Sequence, residues 1–417
     1  MPSRRARARP SWARRNAMPK RKSPATASSL PFVYIAAGGY GQHNVKDAPG
    51  YKKGAKTKLR TGILIAQALQ PGGPLREVGF HAGPAFGWVT FLPPNDNHRE
   101  TFLYGVSKLG MLHSFIINTE DGSLTEVSRA ATLGCSAYVE VFRSYALVAN
   151  YGDGVVATLG LCDDGSVREA ADSKLHWHQP DDESLADRQE ASHPHQIRIA
   201  PAPTNEANGD SHWSSWALAC DLGADKVWVY QFMESEGALV GASNSKRHLQ
   251  LAKGCGPRHL DYHPNGKWVY VLCELSGEIL TCTWDDTEGE LKQSSSVSAL
   301  PEGVQCCRAH HSGNSHVVVG INGTRVYATT RTDNCIVVFA VHPRNGTLTL
   351  LQRASTRGLC PRNFDLSPAP PYRLRIYNQD SHTLAEFALD KGGRLPDAPE
   401  VTEFKGVCGQ CLCAVAV

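Results

Sequence analysis

Arg258 and Glu274 stand at matching ends of an expected strand pair. The stretch GPRHLDYHPNGKWVYVLCELSG (256–277) alternates apolar and polar residues after Arg258, turns at Pro264-Asn265-Gly266, and returns as an apolar run that Glu274 closes. An arginine grips a carboxylate or phosphate through paired hydrogen bonds, and a glutamate or histidine can move a proton or position water. Other strand starts offer His193 and His195 in SHPHQIRIAP and Arg362 in CPRNFDLSP. Other strand ends offer Asn150, Asp221, Arg331 and Asn378. Singly, each also reads as a solvated charge or a turn former, since Asn and Asp commonly close turns. Together they make one set of anion-binding and proton-transfer groups.

The missing motifs narrow the chemistry. The chain has no GxSxG elbow, no HExxH and no GxxxxGK[ST]. GGYG (38–41) follows an apolar run but lacks GxGxxG spacing. A serine hydrolase, a zincin and a P-loop enzyme are therefore not expected, and neither a metal nor an organic cofactor is implied. CGQCLC near the end (Cys408, Cys411, Cys413) has one CxxC spacing but no second Cys or His pair at finger spacing, so it reads as strand packing.

Something must bring these residues together. One phrase recurs: an apolar run, a polar turn, and a second run rich in Val, Tyr and Leu. It appears at 99–117, 144–161, 215–232, 266–284, 324–341 and 372–389, and FVYIAAGGYGQ (32–42) opens a seventh instance. Repeats of this length built from strands rather than helices predict an all-β, seven-bladed β-propeller. CLCAVAV (411–417) has no blade of its own, so it is expected to complete the first blade and close the ring by pairing the N- and C-terminal strands. The propeller is assigned to 31–417, with insertions near 163–192 and 202–214. In a blade the first strand crosses the disc and the second returns. Strand starts and strand ends therefore share a face, and all nine residues above should look into one mouth of the central channel. As rim residues, Arg258 and Glu274 are expected to matter to catalysis and little to folding.

Bulk numbers agree with a large folded body. The chain has 417 residues, 41% of them hydrophobic, and a formal net charge of +3. Residues 1–22 hold nine Arg or Lys and no acid, so discounting those nine charges leaves the remainder at −6. That balance gives no reason to expect nucleic acid or a membrane surface as partner. The basic segment 1–30 reads as a disordered tail or as a mitochondrial presequence. No apolar run approaches the ~18–20 residues of a spanning helix. Thirteen cysteines in a long chain, four of them (Cys220, Cys273, Cys282, Cys335) inside apolar runs, suggest a reducing compartment, and the cytoplasm is expected.

Five motifs together resemble one family: HPHQIRIAP, ACDLGADKVWVY, GPRHLDYHPNGKWVYVLCELSG, YATTRTDNCIVVF and PRNFDLSP…NQDSHTLAEF. They are similar to the seven-bladed propeller lactonases, which include the propeller-type 6-phosphogluconolactonase and the carboxy-muconate lactonizing enzymes. The resemblance covers roughly 32–417. It implies a functional set of one histidine, two arginines and one glutamate, carried here by His195, Arg258, Arg331 and Glu274, with no cofactor. His193, Arg362, Asn378, Asp221 and Asn150 are then expected to surround an anionic lactone substrate. Ser107 departs from the family, standing where a strand-end acid is common. The leading expectation is hydrolysis of 6-phosphogluconolactone, with Arg258 and Arg331 on the substrate anion and oxyanion, and His195 or Glu274 as general base. The alternatives are cyclisation of a carboxy-muconate by the same groups, and a propeller scaffold without catalysis.

Overall fold

The computed structural model describes residues 31–38, 59–68, 73–95, 97–178, 186–201, 216–241, 248–306, 313–367 and 371–415. The basic tail and the 202–214 segment lie outside these residues. The described strands form seven antiparallel sheets. The innermost strands of successive sheets touch in cyclic order, so the sheets are the blades of a closed propeller.

The chain folds this way because each blade grades from apolar inside to polar outside. The second strands, such as FLYGVS (Phe102–Ser107), WALACD (Trp216–Asp221) and WVYVLC (Trp268–Cys273), are buried along their whole length. An outermost strand such as ELKQSSSVS (Glu290–Ser298) alternates and faces water along one side. There is no single central core. One apolar cluster lies between each pair of neighbouring blades, seven in all. A recurring staple ties the wedges together. Tyr34, Tyr104, Tyr270 and Tyr327 donate to the carbonyls of Gly122, Gly165, Gly346 and Gly393 in the next blade, at 3.0, 3.2, 2.9 and 2.7 Å. These glycines have φ near +75°, which the tight outer turns require. Each buried bond contributes about 1 kcal/mol.

Phe32–Ala37 is hydrogen-bonded to Gly62–Ala68 on one side and to Gly409–Val415 on the other. The C-terminal strand is thus the innermost strand of blade 1 and closes the ring, as expected. Two details differ from a plain repeat of four-stranded blades. In blade 4 the outer strand is split into Ala238–Val240 and His248–Gln250, both paired with Lys226–Met233; Gly241, at φ +107°, turns the chain away between them. Within the stretch 163–192, Val167–Leu175 is the outer strand of blade 3 rather than added sequence. The part after it crosses over to blade 4 and holds a short helix, Ala186–Gln189, the only helix among the described residues.

Candidate functional site

Six of the seven innermost strands carry one extra residue near their start. The ladder skips Gly87, His195, Arg258, Ser315, Arg362 and Gln410 in blades 2, 4, 5, 6, 7 and 1. A bulge leaves its extra residue unpaired and re-aims that side chain. Here the bulged residues turn toward the channel. A second set follows the last residue of the second strands: Lys108, Tyr151, Glu274, Arg331 and Gln379 in blades 2, 3, 5, 6 and 7. The two sets meet at one mouth. Gln410 Nε2 donates to Gln379 Oε1 at 3.0 Å, and Arg258 donates to the Ser315 carbonyl.

Glu274 is the hub of this mouth. Its Oε1 lies 2.5 Å from Arg188 Nη2 and 3.0 Å from Arg331 Nη2, and its Oε2 lies 2.8 Å from Arg258 Nε. Arg331 also donates to the carbonyls of Gly313 and Asn314 at 3.3 and 3.2 Å. Burial alone would raise the Glu274 pKa, but Arg331, Arg188 and Arg258 outweigh it and hold the carboxyl well below the usual range. The expectation of an exposed rim, tolerant of substitution, does not survive: Glu274, Arg258 and Arg331 are only 3%, 2% and 6% exposed. Their charges are paired with one another inside the ring rather than solvated.

His195 stands beside this cluster. The Tyr151 and His259 rings meet it edge-on, with centroids at 5.4 and 5.0 Å. Burial, then the positive charge of Arg258, push its pKa well below the usual value against the pull of Glu274. The imidazole is neutral at pH 7. Its buried Nδ1 has no hydrogen-bond partner among the described residues. Below it the channel is filled. Trp88 of blade 2 reaches across the axis to His259 and His316 of blades 5 and 6, at centroid distances of 5.4 and 5.7 Å. His259 Nδ1 and His316 Nδ1 share one hydrogen at 2.7 Å. Burial first, and then Arg258, keep both imidazoles uncharged.

The far end of the channel has the opposite character. Arg198 bridges Asp261 at 2.5 Å and Glu140 at 3.4 Å, and burial pushes Glu140 up to about 7. At the first mouth five cations (Lys108, Arg188, Arg258, Arg331, Arg362) outnumber the carboxylates Glu274, Glu190 and Asp380, so an anion is drawn to that end.

The structure brings His195, Arg258, Glu274 and Arg331 together, with Arg362 half-buried among them. His193 sits just behind. It stacks on Tyr151 at 4.4 Å, with its ring nitrogens against the Tyr151 carbonyl and Glu190. Asn150, Asp221 and Asn378 do not join. Asn150 Nδ2 donates to the Thr132 carbonyl at 2.5 Å, and Asn378 Nδ2 to the Thr356 carbonyl at 3.2 Å. Asp221 accepts from the His193 and Ala224 amides, Trp228 Nε1, His176 Nδ1 and Ser192 Oγ. These three residues pin the crossovers between blades. The physical reason is register: they are the last strand residues, while Glu274 and Arg331 lie one place further on, and a one-residue step turns a side chain to the other face. Ser192, Asp221 and His176 share the residue types of a hydrolytic triad, but the serine bonds to the aspartate, and His176 Nε2 faces the Tyr230 hydroxyl.

Lys108, Tyr151, Arg188, Gln379 and Gln410 were not anticipated. Aligning the repeats on the residue after each second strand finds Lys108, Tyr151 and Gln379. Nothing local marks Arg188, which the crossover helix delivers from 86 positions away along the chain.

Comparison with known proteins agrees with the geometry. A family profile described as "Lactonase, 7-bladed beta-propeller" matches residues 82–406. The 6-phosphogluconolactonase of Bacillus subtilis strain 168 is 30% identical over 320 residues, 75% of this chain and 84% of that protein. Among solved structures, the periplasmic gluconolactonase of Pseudomonas aeruginosa is 25% identical, with a TM-score of 0.75 over 93% of this chain and all of the other. A Bacteroides fragilis protein, 21% identical, shares the fold with a TM-score of 0.73 over 94% of this chain and all of its own.

Proposed function

Since the chain belongs to the seven-bladed β-propeller lactonase family, we propose that it hydrolyses a sugar lactone, 6-phosphogluconolactone, to 6-phosphogluconate. One observation carries this reading: a single carboxylate clamped by three arginines, with a neutral histidine at its side. The arrangement supports one division of the roles left open by the sequence. Both oxygens of Glu274 are engaged by guanidiniums, so a proton would have to displace an arginine. Glu274 therefore positions, and His195 is the base.

His195 takes a proton from water as the water oxygen bonds to the lactone carbonyl carbon. The carbonyl oxygen becomes an oxyanion, stabilised by Arg258 and Arg331, which Glu274 and the Gly313 and Asn314 carbonyls hold in place. The tetrahedral intermediate collapses by breaking the bond to the ring oxygen. That oxygen receives the proton from His195 and leaves as a hydroxyl, and the new acid ionises.

The test is an assay of purified protein on 6-phosphogluconolactone, with product read by a coupled 6-phosphogluconate oxidation, beside a parallel assay on 3-carboxymuconate. Hydrolysis well above the spontaneous rate is expected. Turnover of 3-carboxymuconate alone would replace this reading with the cyclase, and turnover of neither would remove it.

A further inference from the structure

The two halves of the mouth differ in chemistry. Blades 4, 5 and 6 supply His195, Arg258, Glu274 and Arg331. At the equivalent positions, blades 7, 1 and 2 offer Arg362, Gln379, Gln410 and Lys108, with no carboxylate. Resting on the lactonase reading of this site, we propose that Lys108 and Arg362 form a subsite for a phosphate monoester, so that the chain selects a phosphorylated sugar lactone over its unphosphorylated counterpart.

Blade 2 is shaped to admit the lysine. Gly87 holds the bulge position that carries His195, Arg258 or Arg362 in other blades. A Cβ there would lie 3.2 Å from Lys108 Nζ, 3.3 Å from its Cε and 2.9 Å from the Ser136 carbonyl oxygen. Without that atom the ammonium lies over the bulge and donates to Ser136 O at 3.4 Å. Burial, followed by the charge of Arg362 and then Arg258, lowers its pKa to about 8, while Cys135 pulls the other way. A dianion arriving between these cations relieves their repulsion. Two charges meet two: lysine as a point charge, arginine through paired hydrogen bonds.

Calorimetric titration at pH 7 with 6-phosphogluconate and with gluconate tests this on the intact chain and on the variants Lys108→Met and Arg362→Met. The wild type should bind 6-phosphogluconate at least about tenfold more tightly than gluconate, and each variant should lose most of that preference, as expected for a charge-assisted contact worth ~1.5–3 kcal/mol. Thermal unfolding checks that the variants fold; if one does not, the other decides. A wild type without preference, or a preference kept in a folded variant, overturns the subsite. A preference that collapses as described in a protein that turns over no lactone would keep the subsite and remove the hydrolase reading.

Discussion

Arg258 Nε and Glu274 Oε2 stand 2.8 Å apart, and neither side chain is more than 3% exposed. An ion pair this deep cannot lose one member without stranding the other. Glu274 answers three arginines at once, so its removal strands three charges.

Glu274→Gln should therefore damage both stability and rate. A loss of about 3–5 kcal/mol in unfolding free energy is expected, the range for breaking a buried ion pair. With the arginines unanchored, kcat/KM should fall at least ~10²-fold. Denaturant midpoints and steady-state kinetics read the two effects. Wild-type stability in this variant would refute the buried hub.

His195→Asn should act on kcat, lowering it ~10²–10⁴-fold with KM within about threefold. Because the His195 pKa is depressed, its basic form already dominates near neutrality. The rising limb of kcat/KM against pH should thus lie below the ordinary histidine value of about 6.5. A limb centred above that value would exclude His195 as the base.

His195, His259 and His316 all hold protons less well folded than unfolded. Below about pH 6.5 the unfolded chain binds protons that the native ring excludes, so acid favours unfolding. Stability should fall as pH drops from 6.5, by up to about 1.4 kcal/mol per pH unit for each histidine, offset in part by Glu140, whose raised pKa works in the opposite sense below pH 7. Urea midpoints at pH 5, 6 and 7 measure the slope, which His259→Phe should reduce. A flat profile between pH 5 and 7 would contradict the burial of these imidazoles.

Asp221→Ala separates the two registers. It strips one acceptor from five donors, so stability should drop by at least ~3 kcal/mol. Asp221 faces a crossover rather than the channel, so kcat of the folded fraction should stay within about threefold of wild type. A collapse of kcat at unchanged stability would return Asp221 to the site.

Much of the ring was legible because its signal is local and repeated. Apolar second strands such as WVYVLC announce themselves, and CLCAVAV, lacking a blade, points to closure. The four residues proposed for catalysis, His195, Arg258, Glu274 and Arg331, were picked out through their motifs, and the structure places them together. What misled was a shift of one residue. Asn150 and Asp221 look like Glu274 in a linear reading, yet the pleat sends them to the opposite face. The bulges that aim His195 and Arg258 leave no mark in composition. Arg188 joins the site only through long-range folding, so no spacing rule reaches it.

The closure of blade 1 also bears on how the molecule is made. Phe32–Ala37 leaves the ribosome long before its inner partner Gly409–Val415. At roughly 5–20 residues per second, the nascent chain waits about 20 to 75 s with that edge unpaired. Through that interval the growing arc exposes a bare strand to other nascent chains, which makes it a client for chaperones. A ribosome-bound chain arrested before residue 409 should be cut readily by protease, and one extended past 415 by enough residues to clear the exit tunnel should resist. Protection arising before the last strand emerges would show that the arc is stable while still open.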